Sequence, residues 1–372
     1  SIWTDVDNDR DLDLMLTLEW GNVRMFVNEN GVLRDATSAA GLSAYRGWWT
    51  GISAADLDGD GDVDYIVTNL GTNTKYHASD EHPFRLFYGD FEGNGEPRLV
   101  EAEYEDGTLF TVRGKSCSTS AIPSLAQKFT TYKDFATASL QEIYAPTRLE
   151  ESYQVSANWL ESAVLLNDGS GRFTWLSLPA EVQLSPSFGA VLTELNGDGI
   201  PDCLLAQNFF SPQPETGNMD GGLGCVLLGL GDGQFRSVPV DESGVVIPED
   251  ATSVVMTDLR GNGVPEFLVA TNDGVVKDVA NTSSAATREK LLQVVLAVGS
   301  SSEVAGTQLV FESGDRRQAC EIHAGSGYLS QQPPMAFFAM PAGASGTLRA
   351  TFVDGREKEI AVGSDQRRIV IE

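Results

Sequence analysis

Short apolar stretches alternate along the chain with acidic, glycine-rich ones, and the alternation repeats. LMLTL, YIVTN, LVEAEY, CLLAQN and FLVATN each follow a nine-residue acidic loop: 5–13 (DVDNDRDLD), 56–64 (DLDGDGDVD), 90–98 (DFEGNGEPR), 194–202 (ELNGDGIPD) and 258–266 (DLRGNGVPE). Apolar runs this short, bounded by Gly and Asp, read as strands. A second element follows several of them: MFVNENGVLRDAT, AVLLNDGSGRFTWL and CVLLGLGDGQFRSV. NDGSG and GDG supply the positive-φ residues of tight hairpins. Each repeat therefore reads as strand, acidic loop, strand, hairpin, strand. One such unit cannot bury its apolar face alone, and radial stacking of small sheets gives a β-propeller. The expected fold class is all-β.

The loop starts are 51, 34, 104 and 64 residues apart, so the long gap must hold an insertion. Within 123–144, Leu125, Phe129, Tyr132, Phe135, Leu140 and Ile143 fall mostly at helical intervals. Thr131, with Asp134 three residues on, fits an N-cap. A short helical insertion is expected at about 113–150, as decoration or as a partner surface. A polar stretch, 281–290 (NTSSAATREK), suits a linker, and it contains the glycosylation sequon Asn281-Thr282-Ser283. Beyond it LLQVVLAV, GTQLVFES, RQACEIHAG, GTLRATFVDG and RRIVIE read as strands of a second all-β unit, 291–372. The propeller would occupy 1–280. The chain runs from Ser1 almost directly into a repeat, which suggests an N-terminally truncated propeller with about five blades visible.

Charge narrows the function. The 372 residues carry 53 Asp and Glu against 25 Lys and Arg, a net charge of -28. That opposes nucleic-acid binding and an anionic membrane surface, and it favours cations. No apolar run approaches the roughly 18 residues of a membrane span. Cys203 and Cys225 could lie on neighbouring strands, as a bridge or as buried free thiols. Three His leave little material for zinc.

Carboxylates at positions 1, 3, 5 and 9 of a Gly-turned loop can converge on one hard cation, with a backbone carbonyl at position 7. Asp5, Asp7, Asp9 and Asp13, and Asp56, Asp58, Asp60 and Asp64, would supply side-chain oxygens; Asp11 and Asp62 would supply carbonyls. In the fourth loop Glu194, Asn196, Asp198 and Asp202 would play these parts, with Ile200 giving the carbonyl. The expected cofactor is Ca2+. Loop 90–98 ends in Arg98 and loop 258–266 has Arg260 at position 3. In both, a guanidinium could replace the ion and pair with the remaining carboxylates.

The DxDxDGxxD loop before an apolar strand resembles the FG-GAP/VCBS repeats of integrin-α-like β-propellers. Residues 288–372 resemble the ASPIC/UnbV domain, through EIHAGSGYLSQ at 321–331, Leu348 to Gly355 and the terminal IVIE. The combination is similar to bacterial cartilage-acidic-protein-like proteins. The usual WPDG-like turn here reads FVDG at 352–355, and the usual FGLG-like segment reads FAMP at 338–341. The resemblance implies a secreted, periplasmic or cell-surface protein with a calcium-stabilised propeller of about seven blades and a C-terminal β-sandwich-like domain.

The expected role is non-catalytic binding of a protein or glycan at a cell surface, with neither nucleic-acid binding nor membrane insertion. Trp48 and Trp49 suit either stacking on sugar rings or the seams between blades. The alternative is an extracellular enzyme, or its scaffold subunit, with a site at the propeller mouth near His77 and His82, where Asp80 and Glu81 lie between them. His323 beside GSGYLS could orient a ligand or be an ordinary strand residue.

Overall fold

The computed structural model describes residues 1–212, 216–282, 284–297 and 304–372. Ser283 of the sequon and Val298, the last residue of LLQVVLAV, lie outside the described residues. Strand makes up 42% of the chain and helix 11%, so the all-β expectation holds, with most of the helix in one insertion.

Four sheets share one antiparallel plan. Sheet one comprises Ile2–Thr4, Asp13–Leu16, Arg24–Glu29 and Val32–Asp35. Sheet two comprises Ile52–Ala55, Asp64–Val67, Ala163–Asn167 and Phe173–Ser177. Sheet three comprises Ser187–Thr193, Asp202–Gln207, Cys225–Gly229 and Phe235–Val238. Sheet four has three strands, Ala251–Thr257, Glu266–Thr271 and Lys277–Val279. In each sheet an acidic loop joins the first strand to the second.

In sheets two and three the strand after the loop is buried along its whole length because both its faces are covered. Successive side chains point to opposite faces of a strand. In sheet two, Tyr65 and Val67 pack with Met15 and Met25 of sheet one. Ile66, between them, packs with Leu205 and Leu227 of sheet three. In the same way Leu204 joins Val254 and Phe267 of sheet four. The sheets thus stack face to face in chain order.

The third acidic loop departs from this plan. Loop 90–98 closes a hairpin between Phe84–Gly89 and Arg98–Glu105, inside a separate four-stranded sheet with Thr108–Thr111 and Tyr153–Ala157. That sheet and its helices interrupt sheet two between Val67 and Ala163. Among the described residues the stack therefore has four repeat sheets where the sequence suggests five blades, and the helices expected at about 113–150 run from Lys115 to Glu151 within an inserted sheet that the sequence did not suggest. The helical pattern in 123–144 is also cut into three pieces, Ser124–Lys128, Tyr132–Ala136 and Leu140–Ile143, flanked by Lys115–Ala121 and Pro146–Glu151. Thr131 does cap, its hydroxyl accepting the Asp134 N–H at 3.1 Å. Ser139 and Glu142 form a capping box. Each cap requires an extended residue, so each restarts the helix and breaks the run.

Residues from Leu291 onward form two sheets on one core. Met335–Ala339, Leu291–Leu296 and Arg368–Ile371 make one; Arg316–Ile322, Thr307–Ser313, Gly346–Thr351 and Glu357–Val362 make the other. Leu292, Phe311, Phe338, Leu348 and Ile369 meet between them. The preceding polar stretch contains a short helix, Ala285–Arg288.

This sandwich is seated firmly on the stack. Segment 324–332 touches the first strand of all four repeat sheets. The Trp3 N–H donates to the Ala324 carbonyl at 2.9 Å, and the Gly327 N–H to the Ile52 carbonyl at 2.6 Å. Tyr328 stacks edge-on to Phe188 at 5.0 Å. The Ser253 hydroxyl donates to the Tyr328 carbonyl, and the Met256 N–H to Gln332 Oε1 at 2.8 Å. The four first strands therefore all lie against this one segment.

Candidate metal centres in the acidic loops

The loops share one backbone. Positions 4 and 6 are left-handed in all five: Gly59 and Gly61, Gly93 and Gly95, Gly197 and Gly199, Gly261 and Gly263, but Asn8 (φ 62°) and Arg10 (φ 76°) in the first loop. Glycine takes this conformation at no steric cost, whereas a side chain there is strained. The carboxylate at position 9 ties the loop to the sheet. Asp13 accepts the Val6 and Asn28 N–H groups at 2.9 and 2.7 Å, Asp64 those of Leu57 and Asn167 at 2.8 Å each, and Asp202 those of Leu195 and Gly229 at 3.0 and 3.1 Å. Each thus bridges position 2 of its own loop and a residue of the third strand.

Two loops gather carboxylates. Asp5, Asp7 and Asp13 place one oxygen each within 4.8 Å of one another, as do Asp56, Asp58 and Asp64. Either group could hold a metal ion. In the first, Asp5 Oδ1 and Asp7 Oδ1 are buried without a hydrogen-bond partner. Buried polar atoms are rarely left so, and a cation would satisfy both. Asp9 and Asp60 are exposed and accept the N–H of Asp11 and Asp62. The Asp62 carboxylate receives Asn8 Nδ2 at 2.8 Å, which joins the two loops.

The titration of these groups reflects the crowding. Burial, then the charge of Glu321, pushes Asp5 up to about 7. Burial pushes Asp13 and Asp56 to about 6 and Asp64 to about 7. Burial, then Glu194, takes Asp202 to about 8. A bound cation would reverse these shifts by favouring the ionised forms.

In loop 194–202 the side chains serve the loop itself. Glu194 accepts the N–H groups of Asn196, Gly197 and Gly199, and Asn196 Nδ2 donates to Asp198 Oδ2 at 2.9 Å. The Ile200 N–H donates to Asp198 Oδ1 at 2.9 Å. Glu194, Asp198 and Asp202 do not form a group like the other two among the described residues. In loop 258–266, Arg260 Nη1 lies 3.1 Å from Glu266 Oε1, at position 9, and Nη2 lies 2.7 Å from Asp278 Oδ2. The guanidinium there pairs with a loop carboxylate as expected. Arg98 also pairs with a carboxylate of its own loop, at position 7. It pairs with Glu96 at 2.5 Å and donates to the Ala121 carbonyl at 3.0 Å, while Asp90 is wrapped by the N–H groups of Glu92, Gly93, Asn94 and Gly95.

Other sequence candidates resolve as follows. All four cysteines are free; Cys203 and Cys225 sit on adjacent strands but out of register, opposite Leu227 and Leu205. Trp49 is 1% exposed in the core between sheets one and two, so it cannot stack on a sugar. Trp48 packs on Trp20 and Tyr76. His77 and Asp80 line a cavity of about 540 Å³ with Tyr45, Asn158, Trp159 and Glu161, whereas the His82 ring lies 5.1 Å from Tyr104. His323 Nδ1 lies 3.1 Å from Glu321 Oε1. Glu321 Oε2 accepts the Asp5 N–H at 3.2 Å, a contact with the first loop that loop spacing misses. Glu321 stands 316 residues from the Asp5 it meets, so no local pattern points to the contact.

A family model described as "FG-GAP-like repeat" matches residues 5–67, a span that holds both carboxylate groups. The chain carries an FG-GAP-like repeat. No curated protein matches the chain. Among solved structures it is similar, at 12% identity, to the Bacillus licheniformis rhamnogalacturonan lyase PL11, covering 92% of this chain and 65% of that one with a TM-score of 0.21. It is also similar, at 12% identity, to the gamma-CGTase from alkalophilic Bacillus clarkii, covering 90% and 42% with a TM-score of 0.13. The chain spans less than two thirds of the length of either enzyme. Overlaps this low carry no argument about fold or activity. No helix among the described residues is long and apolar enough to cross a membrane.

Proposed function

We propose that this protein is an extracellular or cell-surface calcium-binding repeat module, propeller-like in its stack, that presents a rigid surface to a protein or glycan and performs no catalysis. Asp5, Asp7 and Asp13 hold one Ca2+; Asp56, Asp58 and Asp64 hold a second. Loop 194–202 is the candidate for a third, and the sandwich corresponds to an ASPIC/UnbV-like unit. The observation that carries the reading is the repeated convergence of positions 1, 3 and 9, with buried oxygens left unpartnered in the first loop. Calcium favours such all-oxygen sets of six to eight ligands, and backbone carbonyls and water complete them. With the ions bound, the loops are fixed and the sheets they join keep a defined surface.

The test is a panel of glycans and surface proteins probed with and without chelator. The reading expects binding that calcium restores. The cavity beside His77 and Asp80 supports the second reading, an extracellular enzyme or its scaffold subunit. Turnover of a polysaccharide that His77→Ala abolishes would favour that reading instead.

A further inference from the structure

One strand of the sandwich, Arg316–Ile322, lies across three acidic loops and offers each a different charge. Arg316 Nη1 donates to the Asp198 carbonyl at 2.9 Å. Arg317 lies over the second loop, where a Cβ on Gly61 would meet its Nη1 at 2.5 Å. Both are cations beside acidic loops, the arrangement that Coulomb's law favours. At the first loop the strand brings an acid. Glu321 has a side chain 1% exposed, and it sits against Asp5, which is 3% exposed.

Both oxygens of this carboxylate have a partner, whereas the acid it touches does not have both satisfied. Glu321 Oε2 accepts the Asp5 N–H at 3.2 Å, and Oε1 lies 3.1 Å from His323 Nδ1. Asp5 Oδ2 accepts from the Arg10 N–H at 3.1 Å and from Gln308 Nε2, also of the sandwich, at 3.2 Å. Asp5 Oδ1 has no partner. Asp5, Asp7 and Asp13 form one carboxylate group in which Asp5 Oδ1 and Asp7 Oδ1 are unpartnered, and Glu321, from the other unit of the chain, adds a buried acid in contact with Asp5. Burying like charges together is costly unless a cation joins them.

We propose that the cation of loop 5–13 is an interdomain ion: Glu321 supplies its fourth carboxylate, so that binding the ion and seating the C-terminal sandwich on the first repeat sheet are one coupled event. The inference rests on the calcium reading of loop 5–13. Coupling is reciprocal, so the seated sandwich raises calcium affinity and calcium holds the sandwich down. Segment 324–332, which touches the four first strands, begins three residues after Glu321, and its seating follows the same ion.

Calorimetric titration of the chelated full chain with calcium, for the wild type, Glu321→Gln and Asp58→Asn, separates the claims. Gln keeps an acceptor for the Asp5 N–H and removes the charge. Glu321→Gln should weaken one site about tenfold or more and leave the other unchanged, while Asp58→Asn should affect only the other. Hydrogen exchange on the wild type supplies a readout that needs no variant. Amides of 316–332 should lose protection on chelation and regain it with calcium. Unchanged calcium affinity in Glu321→Gln, or exchange in 316–332 indifferent to calcium, would overturn the coupling and leave the calcium reading standing. No calcium binding at any site would remove both.

Discussion

Replacing Asp64 separates the two tasks of a position-9 carboxylate. Asp64 is fully buried, and its two oxygens accept the Leu57 and Asn167 N–H groups at 2.8 Å each. Asp64→Ala strands both donors. A buried donor left unsatisfied costs about 1–3 kcal/mol, so the substitution should cost about 2–6 kcal/mol before any ion is considered. Relief of the buried charge offsets part of this, since burial has pushed the carboxyl up to about 7. Asp58, in the same carboxylate group, accepts the Asp60 N–H at 3.2 Å in an exposed turn. Asp58→Asn keeps that acceptor and should be neutral or slightly stabilising in chelator. In about 2 mM calcium, a site with Kd of about 0.1–1 mM adds about 0.7–1.8 kcal/mol, and both variants should lose that increment. Urea unfolding followed by Trp fluorescence, in chelator and in calcium, measures both. Equal losses for the two variants in chelator, or a loss below about 1 kcal/mol for Asp64→Ala, would refute the reasoning.

Further outcomes follow from the same loops. Arg10 holds φ 76° where the second loop has Gly61, so Arg10→Gly should stabilise the chelated protein by about 1 kcal/mol, read as a raised urea midpoint. Asp5, Asp13, Asp56, Asp64 and Asp202 have folded values of about 6 to 8, against an ordinary 3.8. The folded state therefore binds more protons than the unfolded one between about pH 4 and 8, and the chelated protein should lose stability as pH rises through that window. Calcium holds the carboxylates ionised, so its stabilising effect should grow from pH 5 to pH 8 in melting curves. Arg260→Asp removes the guanidinium that pairs with Glu266, and it should let loop 258–266 take up one further calcium.

The repeat was legible because it rests on local chemistry. Positions 4 and 6 need left-handed backbone, so Gly recurs there, and in sheets two and three the strand after the loop is covered on both faces, so it is predominantly apolar. Loop 90–98 shows where local chemistry misleads. It has the same Gly pair and the same turn, but its strands belong to an inserted sheet, and only its short spacing and Arg98 set it apart. The helical run failed for a related reason: spacing reports a face, whereas Thr131 and Ser139 decide where a helix restarts. Arg98 pairs with Glu96 of its own loop and also reaches the Ala121 carbonyl, a partner that the loop pattern does not reveal. Glu321 was out of reach because its partner lies in the first repeat, and a single chain carries no local sign of so distant a contact. The seating of 324–332 on four first strands was hidden in the same way.

Calcium stoichiometry tests the central claim most directly. Equilibrium dialysis of the chelated chain against calcium up to about 10 mM, well above the weakest extracellular affinities, would count the ions. The account predicts at least two per chain, one lost in Asp7→Asn and a different one in Asp58→Asn. No bound calcium, or a count that neither substitution changes, would contradict it.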